Sequence, residues 1–297
     1  MRLWFAIFII LALGFTAYAE PKGEIKIIYP ENIQFLMEKF KDGFQKLNPE
    51  VTITLQKGAG PAQVQKLYDG NETADILILS DDRLARPSMQ TLYQSTPTDF
   101  MSDEIAIIAG KNAKYFDELT LRYWNTYLLR PDVKVGIPDA NQSYAAIRVP
   151  MVWKLAETWV HQMSLYESLT AKLKSAEPQT SVVSALQSGN LDYAFDYATQ
   201  GKQTGLRVFR LFKYYNLGDP SLANFYKSAV IENDEKKLIY GEPIIYSIGC
   251  IKKSKNQAAA EAFVDYAAGD KGRAILQAEE LTPVIGGHEG PPSENSN

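Results

Sequence analysis

The chain has 297 residues, 45% of them hydrophobic, which is long enough for two domains and apolar enough for a packed core. Its 31 Lys plus Arg face 35 Asp plus Glu for a net charge of -4, and with no block of like charge this argues against nucleic acid as a partner. One cysteine, Cys250, excludes an internal disulfide and reads as a buried strand residue.

The first segment, 1–19, reads as a signal peptide. Arg2 gives a positive start, Leu3 to Phe15 a short apolar run, and Ala17-Tyr18-Ala19 a small-residue cleavage site before Glu20. The run is shorter than the roughly 20 residues that span a hydrocarbon core, and no later segment comes close. The mature chain is therefore expected to be secreted across the cytoplasmic membrane, into a periplasmic or extracytoplasmic space.

Glu24 to Tyr29 alternates like a strand, and Leu36, Phe40, Phe44 and Leu47 then recur at helical spacing. Val51 to Leu55 is a second strand, broken by Gly58-Ala59-Gly60-Pro61, after which Ala62 to Leu67 restarts a helix before the apolar strand Ile76 to Leu79. This βαβαβ order predicts a mostly parallel, doubly wound α/β lobe, because parallel strands need crossover helices that cover both faces. A second lobe begins near Glu104 with the strand Ile105 to Ala109, followed by the strand Val133 to Ile137 and one long helix, Tyr144 to Met163. Ser181 to Gln187 reads as a short helix ended by Gly189, and Leu191 to Phe195 resumes the sheet. Ile244 to Ile251 is a further strand and Ala258 to Ala268 a helix, while 288–297 is Gly- and Pro-rich and expected to be a disordered tail.

Two α/β lobes imply a cleft, and in open sheets the ligand sits beyond the carboxyl ends of strands, where helices begin. The loops so placed are Pro30-Glu31-Asn32, Gly58 to Pro61, Ser80-Asp81, Asp139 to Tyr144 and Asp196 to Thr199. Free N–H groups and the helix dipole make such positions receptive to anions. Taken singly, each is also an ordinary cap or turn.

The segment LLRPDVKVGIPDANQSYAAIRVPMVWKLAETW, Leu128 to Trp159, resembles the second-lobe loop and helix of the archaeal-type tungstate/molybdate solute-binding proteins of ABC importers. ADILILSD from Ala74, GNLDYAFDY from Gly189 and NLGDPSLANFYKSAVI from Asn216 resemble the same family in order and spacing, so the likeness covers nearly all of the mature chain. It implies a type II periplasmic-binding-protein fold, with lobe 1 formed by 20–103 and 242–287 and lobe 2 by 104–241. It further implies closure on a small oxyanion, delivery to an ABC permease in the membrane, no cofactor, and a monomer.

The ligand positions depart from that family. Where it holds its oxyanion with a serine in an Ala-Gly-Ser loop, this chain has Pro30-Glu31-Asn32, and its second serine, after a glycine, corresponds to Pro61, which has no N–H. Two acids are implied to complete coordination of the oxyanion's metal centre; one is replaced by Ser143, ahead of Tyr144 and the retained Arg148, and the other is shortened to Asp196. The expected ligand-binding residues are Asn32, Gly60, Ser80, Ser143, Tyr144 and Asp196. Asn and Ser both donate and accept, so a hydroxylated or carboxylated organic solute is the alternative occupant. A receptor or sensor for a different small solute, such as an organic acid or a metal ion, is the alternative role.

Catalysis has little support. His161, placed in the long helix, and His288, in the tail, have no nucleophile motif around them, and the His and Cys supply is too small for a zinc site. Asp81-Asp82 reads as a helix cap and its neighbour rather than a cation site. Tyr193, Tyr197, Tyr214 and Tyr215 can line a cleft or bind iron, but tyrosines mostly pack.

Overall fold

A computed structural model describes residues 21–81, 83–84, 91–174, 181–233 and 236–284, so the leader, the tail and Asp82 lie outside the described residues. Along the chain come β1 (Gly23–Tyr29), α1 (Gln34–Leu47), β2 (Val51–Lys57), α2 (Pro61–Tyr68), β3 (Ile76–Leu79), β4 (Thr98–Asp103) and β5 (Ile105–Ala109). Next are α3 (Trp124–Leu128), β6 (Val135–Gly136), α4 (Ala145–Trp159), α5 (Leu165–Lys174), α6 (Val182–Ser188), β7 (Tyr193–Tyr197), α7 (Ala198–Thr204) and β8 (Arg207–Arg210). The chain continues with α8 (Ala223–Tyr226), β9 (Val230–Glu232), β10 (Leu238–Tyr240), β11 (Ile244–Cys250), α9 (Gln257–Ala268), α10 (Asp270–Ala278) and β12 (Thr282–Pro283).

These strands form a six-stranded sheet, β12-β4-β11-β3-β1-β2, a four-stranded sheet, β6-β7-β5-β8, and a β9–β10 ribbon. β1 pairs in parallel with β2 and β3, as the βαβαβ pattern requires, whereas β11 joins β3 and β4 antiparallel and β12 joins β4 antiparallel. In the second sheet β6–β7 is parallel, and β5 lies antiparallel to both β7 and β8. Both sheets are thus mixed rather than mostly parallel. The cause is chain routing: β4 runs through Glu104 directly into β5 of the other sheet, and β11 brings the chain back, so strands enter each sheet from the far side.

Strand periodicity splits β3 between two cores. Ile76 and Ile78 pack with Leu36, Met37, Phe40 and Phe44 of α1, while Leu77 and Leu79 pack with Val64, Leu67 and Tyr144. Full burial of all four explains their unbroken apolar run. The main cluster continues through β4, β5 and β11 into the second sheet, where Trp124 and Trp153 meet Phe195 edge-on at 5.5 and 5.4 Å. Cys250 is buried in β11 as expected.

The long helix read over Tyr144 to Met163 is shorter. α4 ends at Trp159 and α5 starts at Leu165, because His161 takes a left-handed backbone (φ 53°) that turns the chain and leaves the imidazole exposed between helices. Gly189 does close α6 in the left-handed conformation, φ 79°, and Ser181 caps its start by accepting the Ser184 N–H at 3.3 Å. Among the described residues no helix is long and apolar enough to cross a membrane.

Candidate functional site

A cavity of about 530 Å³ opens where the carboxyl ends of β1, β2, β3 and β7 and the loop after β6 face one another. From the six-stranded sheet come Pro30, Glu31, Asn32, Gly58 to Gly60 and Ser80. From the other come Pro138, Asp139, Asn141 to Tyr144, Ser181 to Val183, Asp196, Tyr197 and Gln200. All six residues expected at the ligand site line this one cleft, although they are scattered over more than half the chain. α2, α4, α6 and α7 all begin at it, so the positive ends of their dipoles lie at the cavity.

The charge balance is unusual for an anion site. Among the described residues no lysine or arginine lines the cavity, whereas Glu31, Asp139 and Asp196 do. Asp196 lies in β7 rather than in a loop as expected, because the strand runs to Tyr197 and α7 starts at the next residue. It is buried, and desolvation pushes its carboxyl up to about 7, with the Asp103 charge adding to the rise and the Tyr197 N–H, 2.8 Å from Oδ1, partly opposing it. Asp139 is spent on its own turn: its side chain accepts the Asn141 N–H at 2.8 Å and its carbonyl the Gln142 and Ser143 N–H groups at 3.0 Å.

Asn32 reaches the cavity but spends its amide elsewhere. Its Nδ2 donates to Thr199 Oγ1 at 2.6 Å and to the Tyr246 hydroxyl at 2.5 Å; Thr199 in turn donates to Asp103 Oδ2 at 2.5 Å, and Tyr246 to the same oxygen at 3.3 Å. This buried relay joins the loop after β1, the strands β4 and β11, and α7 behind the cleft. Burial holds Asp103 up at about 6, with the Thr199 hydrogen bond opposing it. Nothing local in the sequence marks Asp103, Thr199 or Tyr246; the pairing of β4 with β11 and the packing of α7 against them bring the three together.

Gly60 contributes closeness rather than an obvious donor. A β-carbon there would stand 2.0 Å from the Gln142 carbonyl oxygen, and two residues on, the Ala62 N–H donates to the Asn141 carbonyl at 3.0 Å. The loops after β2 and β6 therefore touch backbone to backbone across the cleft. Ser143 accepts the Ala145 N–H at 3.2 Å at the start of α4, and Ser80 and Tyr144 are buried in the walls.

Asp81 is a cap only in part. Its carbonyl and, at 3.4 Å, its carboxylate do take the Leu84 N–H, but its main partner is Arg148 of α4: Nε donates to Oδ2 at 2.5 Å and Nη2 to Oδ1 at 2.9 Å, with both side chains essentially inaccessible. The guanidinium also donates to the Tyr240 carbonyl at 2.9 Å. This bidentate pair is a second tie between the sheets, beside the relay behind Asn32. Of the four tyrosines singled out, Tyr193 and Tyr215 pack in the core, Tyr214 stacks on Trp159 at 5.1 Å, and only Tyr197 lines the cleft. Among the described residues no group of three or more His, Cys, Asp or Glu is placed to hold a metal ion.

Two sheets with a polar cleft at their facing strand ends define a two-lobed α/β fold of the kind that binds small solutes between its halves. The chain belongs to the bacterial extracellular solute-binding proteins, whose family model matches residues 25–279. It is 27% identical over 294 residues to an uncharacterized solute-binding protein of Petrotoga mobilis, covering 96% of this chain and 91% of that one. It is also 27% identical to the molybdate/tungstate-binding protein of Pyrococcus abyssi, over 92% of this chain and 89% of the relative. In fold it is similar to the periplasmic molybdate-binding protein of Azotobacter vinelandii, with a TM-score of 0.59 at 16% identity over 87% of this chain and 98% of that one. The sulfate-binding protein of Mycobacterium tuberculosis gives a TM-score of 0.58 at 16% identity, over 88% and 87% of the two chains. These solved structures share the two-lobed architecture.

Proposed function

We propose that this chain is the extracytoplasmic solute-binding component of an ABC importer. Two lobes, 20–103 with 242–287 and 104–241, close on a small oxyanion of the tungstate/molybdate kind and hand it to the membrane permease. The observation that carries this reading is the convergence of helix starts and of Asn32, Gly60, Ser80, Ser143, Tyr144 and Asp196 on one cleft between the sheets. The likeness to molybdate/tungstate-binding proteins of Pyrococcus abyssi and Thermococcus kodakarensis supports the same solute class. In this reading the anion is held by hydroxyls, amides and backbone N–H groups without a cation, and Asp196 is the acid nearest to it.

A hydroxylated carboxylate is the second reading. A cavity of about 530 Å³ is roomy for a five-atom oxyanion, and the amides of Asn141, Gln142 and Gln200 can serve hydroxyl as well as oxyanion groups. Thermal-shift titration of the purified protein with tungstate, molybdate, sulfate, phosphate and hydroxycarboxylates separates the two. A solute at a hundred times its Kd stabilises by about 2.7 kcal/mol, roughly 5–10 °C for a chain of this size. Tungstate or molybdate is expected to give the largest shift; a shift with hydroxycarboxylates alone refutes the oxyanion reading.

A further inference from the structure

A second cavity, of about 460 Å³, lies in the six-stranded half alone, at the amino ends of β1 and β3 and the carboxyl end of β11, and none of the residues lining it lines the cleft. That volume falls within the range of about 300–1,000 Å³ usual for small-molecule sites. Its apolar lining is Leu67, Ala74, Leu92 and Ile251, with the half-exposed Tyr68 beside them at the end of α2. One carboxylate fixes the surrounding chain. Asp75 takes the Lys26 N–H at 2.8 Å on one oxygen, and the Ser254 hydroxyl at 2.6 Å and the Lys255 N–H at 3.1 Å on the other, while the Lys252 N–H donates to the Leu92 carbonyl at 2.9 Å. β1, the approach to β3 and the segments around Leu92 and Ser254 are thereby tied together, so the cavity is built into the fold.

The acids at this cavity are already engaged. The hydrogen bond from Lys26, at 2.7 Å, together with the Thr73 N–H and the Gln56 and Gln63 amides, holds Glu72 down at about 2, and Glu24 accepts the Thr54 hydroxyl at 2.8 Å. Lys252, Lys253 and Lys255 are different: all three are exposed, and among the described residues their ammonium groups have no ion-pair partner. In a chain of net charge -4, uncommitted positive charge is thus gathered at the rim of an apolar hollow.

We infer that this cavity is a second ligand site for a small amphipathic anion, its apolar chain lying against Leu67, Ala74, Leu92 and Ile251 and its carboxylate among the ammonium groups of Lys252, Lys253 and Lys255. A neutral apolar solute leaves the lysines unused, and an inorganic anion leaves the hollow unfilled; an apolar body with one anionic head uses both. The site is separate from the cleft and holds whatever solute the cleft takes.

The test titrates sodium decanoate, below its micelle concentration, into the wild type and into the triple variant Lys252→Gln, Lys253→Gln, Lys255→Gln by calorimetry, with sodium acetate as the head without the chain. The wild type is expected to bind decanoate, and the triple variant to bind it roughly ten-fold or more weakly with an unchanged melting temperature, since the substituted side chains are exposed. Added salt should weaken the wild type and move the variant little. Absence of saturable decanoate binding to the wild type, or equal affinity in the variant, overturns the inference, as does acetate binding as tightly as decanoate. Lysine-dependent cosedimentation with phosphatidylglycerol vesicles in the absence of decanoate binding also overturns it, in favour of a lipid surface. Sodium tungstate titrated into both proteins should behave identically, which tells a failure at this cavity from a failure of the cleft reading; a tungstate affinity lost only in the triple variant refutes the separateness of the two sites.

Discussion

Gly60→Ala separates the proposed closure from folding. The backbone at Gly60, φ −86° and ψ 176°, lies in the extended region that alanine adopts freely, so no backbone strain is expected. What alanine meets is space: its β-carbon would sit 2.0 Å from the Gln142 oxygen, 2.5 Å from the carbonyl carbon and 3.1 Å from Cα. All three are backbone atoms of the facing loop, so no side-chain rotation relieves the contact. Restoring an ordinary separation of about 3.5 Å moves the loops apart by more than an ångström. That breaks the neighbouring Ala62 N–H to Asn141 carbonyl bond, which spans 3.0 Å. The lost bond and imperfect apposition together cost the closed form about 2–3 kcal/mol, which weakens solute binding roughly 30- to 150-fold. The open form keeps both sheets, and the stiffer unfolded chain favours folding by about 0.4–1 kcal/mol, so the solute-free melting temperature should hold or rise slightly. Calorimetry gives the affinity, and small-angle scattering with and without solute reports compaction. Wild-type affinity together with wild-type compaction would refute the close-approach role of Gly60.

Three further outcomes follow from the same geometry. Asp81→Asn leaves the wholly buried Arg148 guanidinium uncompensated, a loss of about 3–5 kcal/mol seen as a melting point lower by roughly 6–20 °C, and the double variant Asp81→Asn with Arg148→Met should recover much of it. Thr199→Val removes the hydroxyl between Asn32 and Asp103 and should cost about 1–3 kcal/mol in urea unfolding, with an unchanged m-value. Asp196 and Asp103 are held near 7 and 6, above the unfolded carboxylate value of about 3.9, so the folded state keeps protons that the unfolded chain releases. Their contribution is complete below about pH 4 and lost as pH rises through 6 to 7. Asp196→Asn should therefore flatten the melting temperature between pH 4 and 7 and raise it at pH 8; a fall at pH 8 contradicts this.

Much of this was legible in the residues. The unbroken run Ile76 to Leu79 fits a strand covered on both faces better than a half-exposed one, and the glycine after Ser188 fits a helix end, because burial and left-handed backbone leave local marks. The strand-end loops were legible too, since caps and turns use few residue types. Less visible was the direction of each strand within its sheet. β11 looks like any apolar strand, and β4, with only Phe100 and Met101 apolar, is not read as a strand at all; their antiparallel placement follows from where the chain crosses between sheets.

The residues alone determined the classes of element, the loops at which a solute can be met, and the acidic, hydroxyl-rich chemistry offered there, because periodicity, turn chemistry and charge are local properties. Only the tertiary structure decided how those groups are used. It spends Asn32 on Thr199 and Tyr246, makes Gly60 a contact surface for Gln142, joins Asp81 to Arg148, and leaves the Tyr197 hydroxyl without a protein partner. A hydrogen bond between residues 67 or 167 positions apart is set by the packing of whole sheets, and no short stretch of chain encodes it.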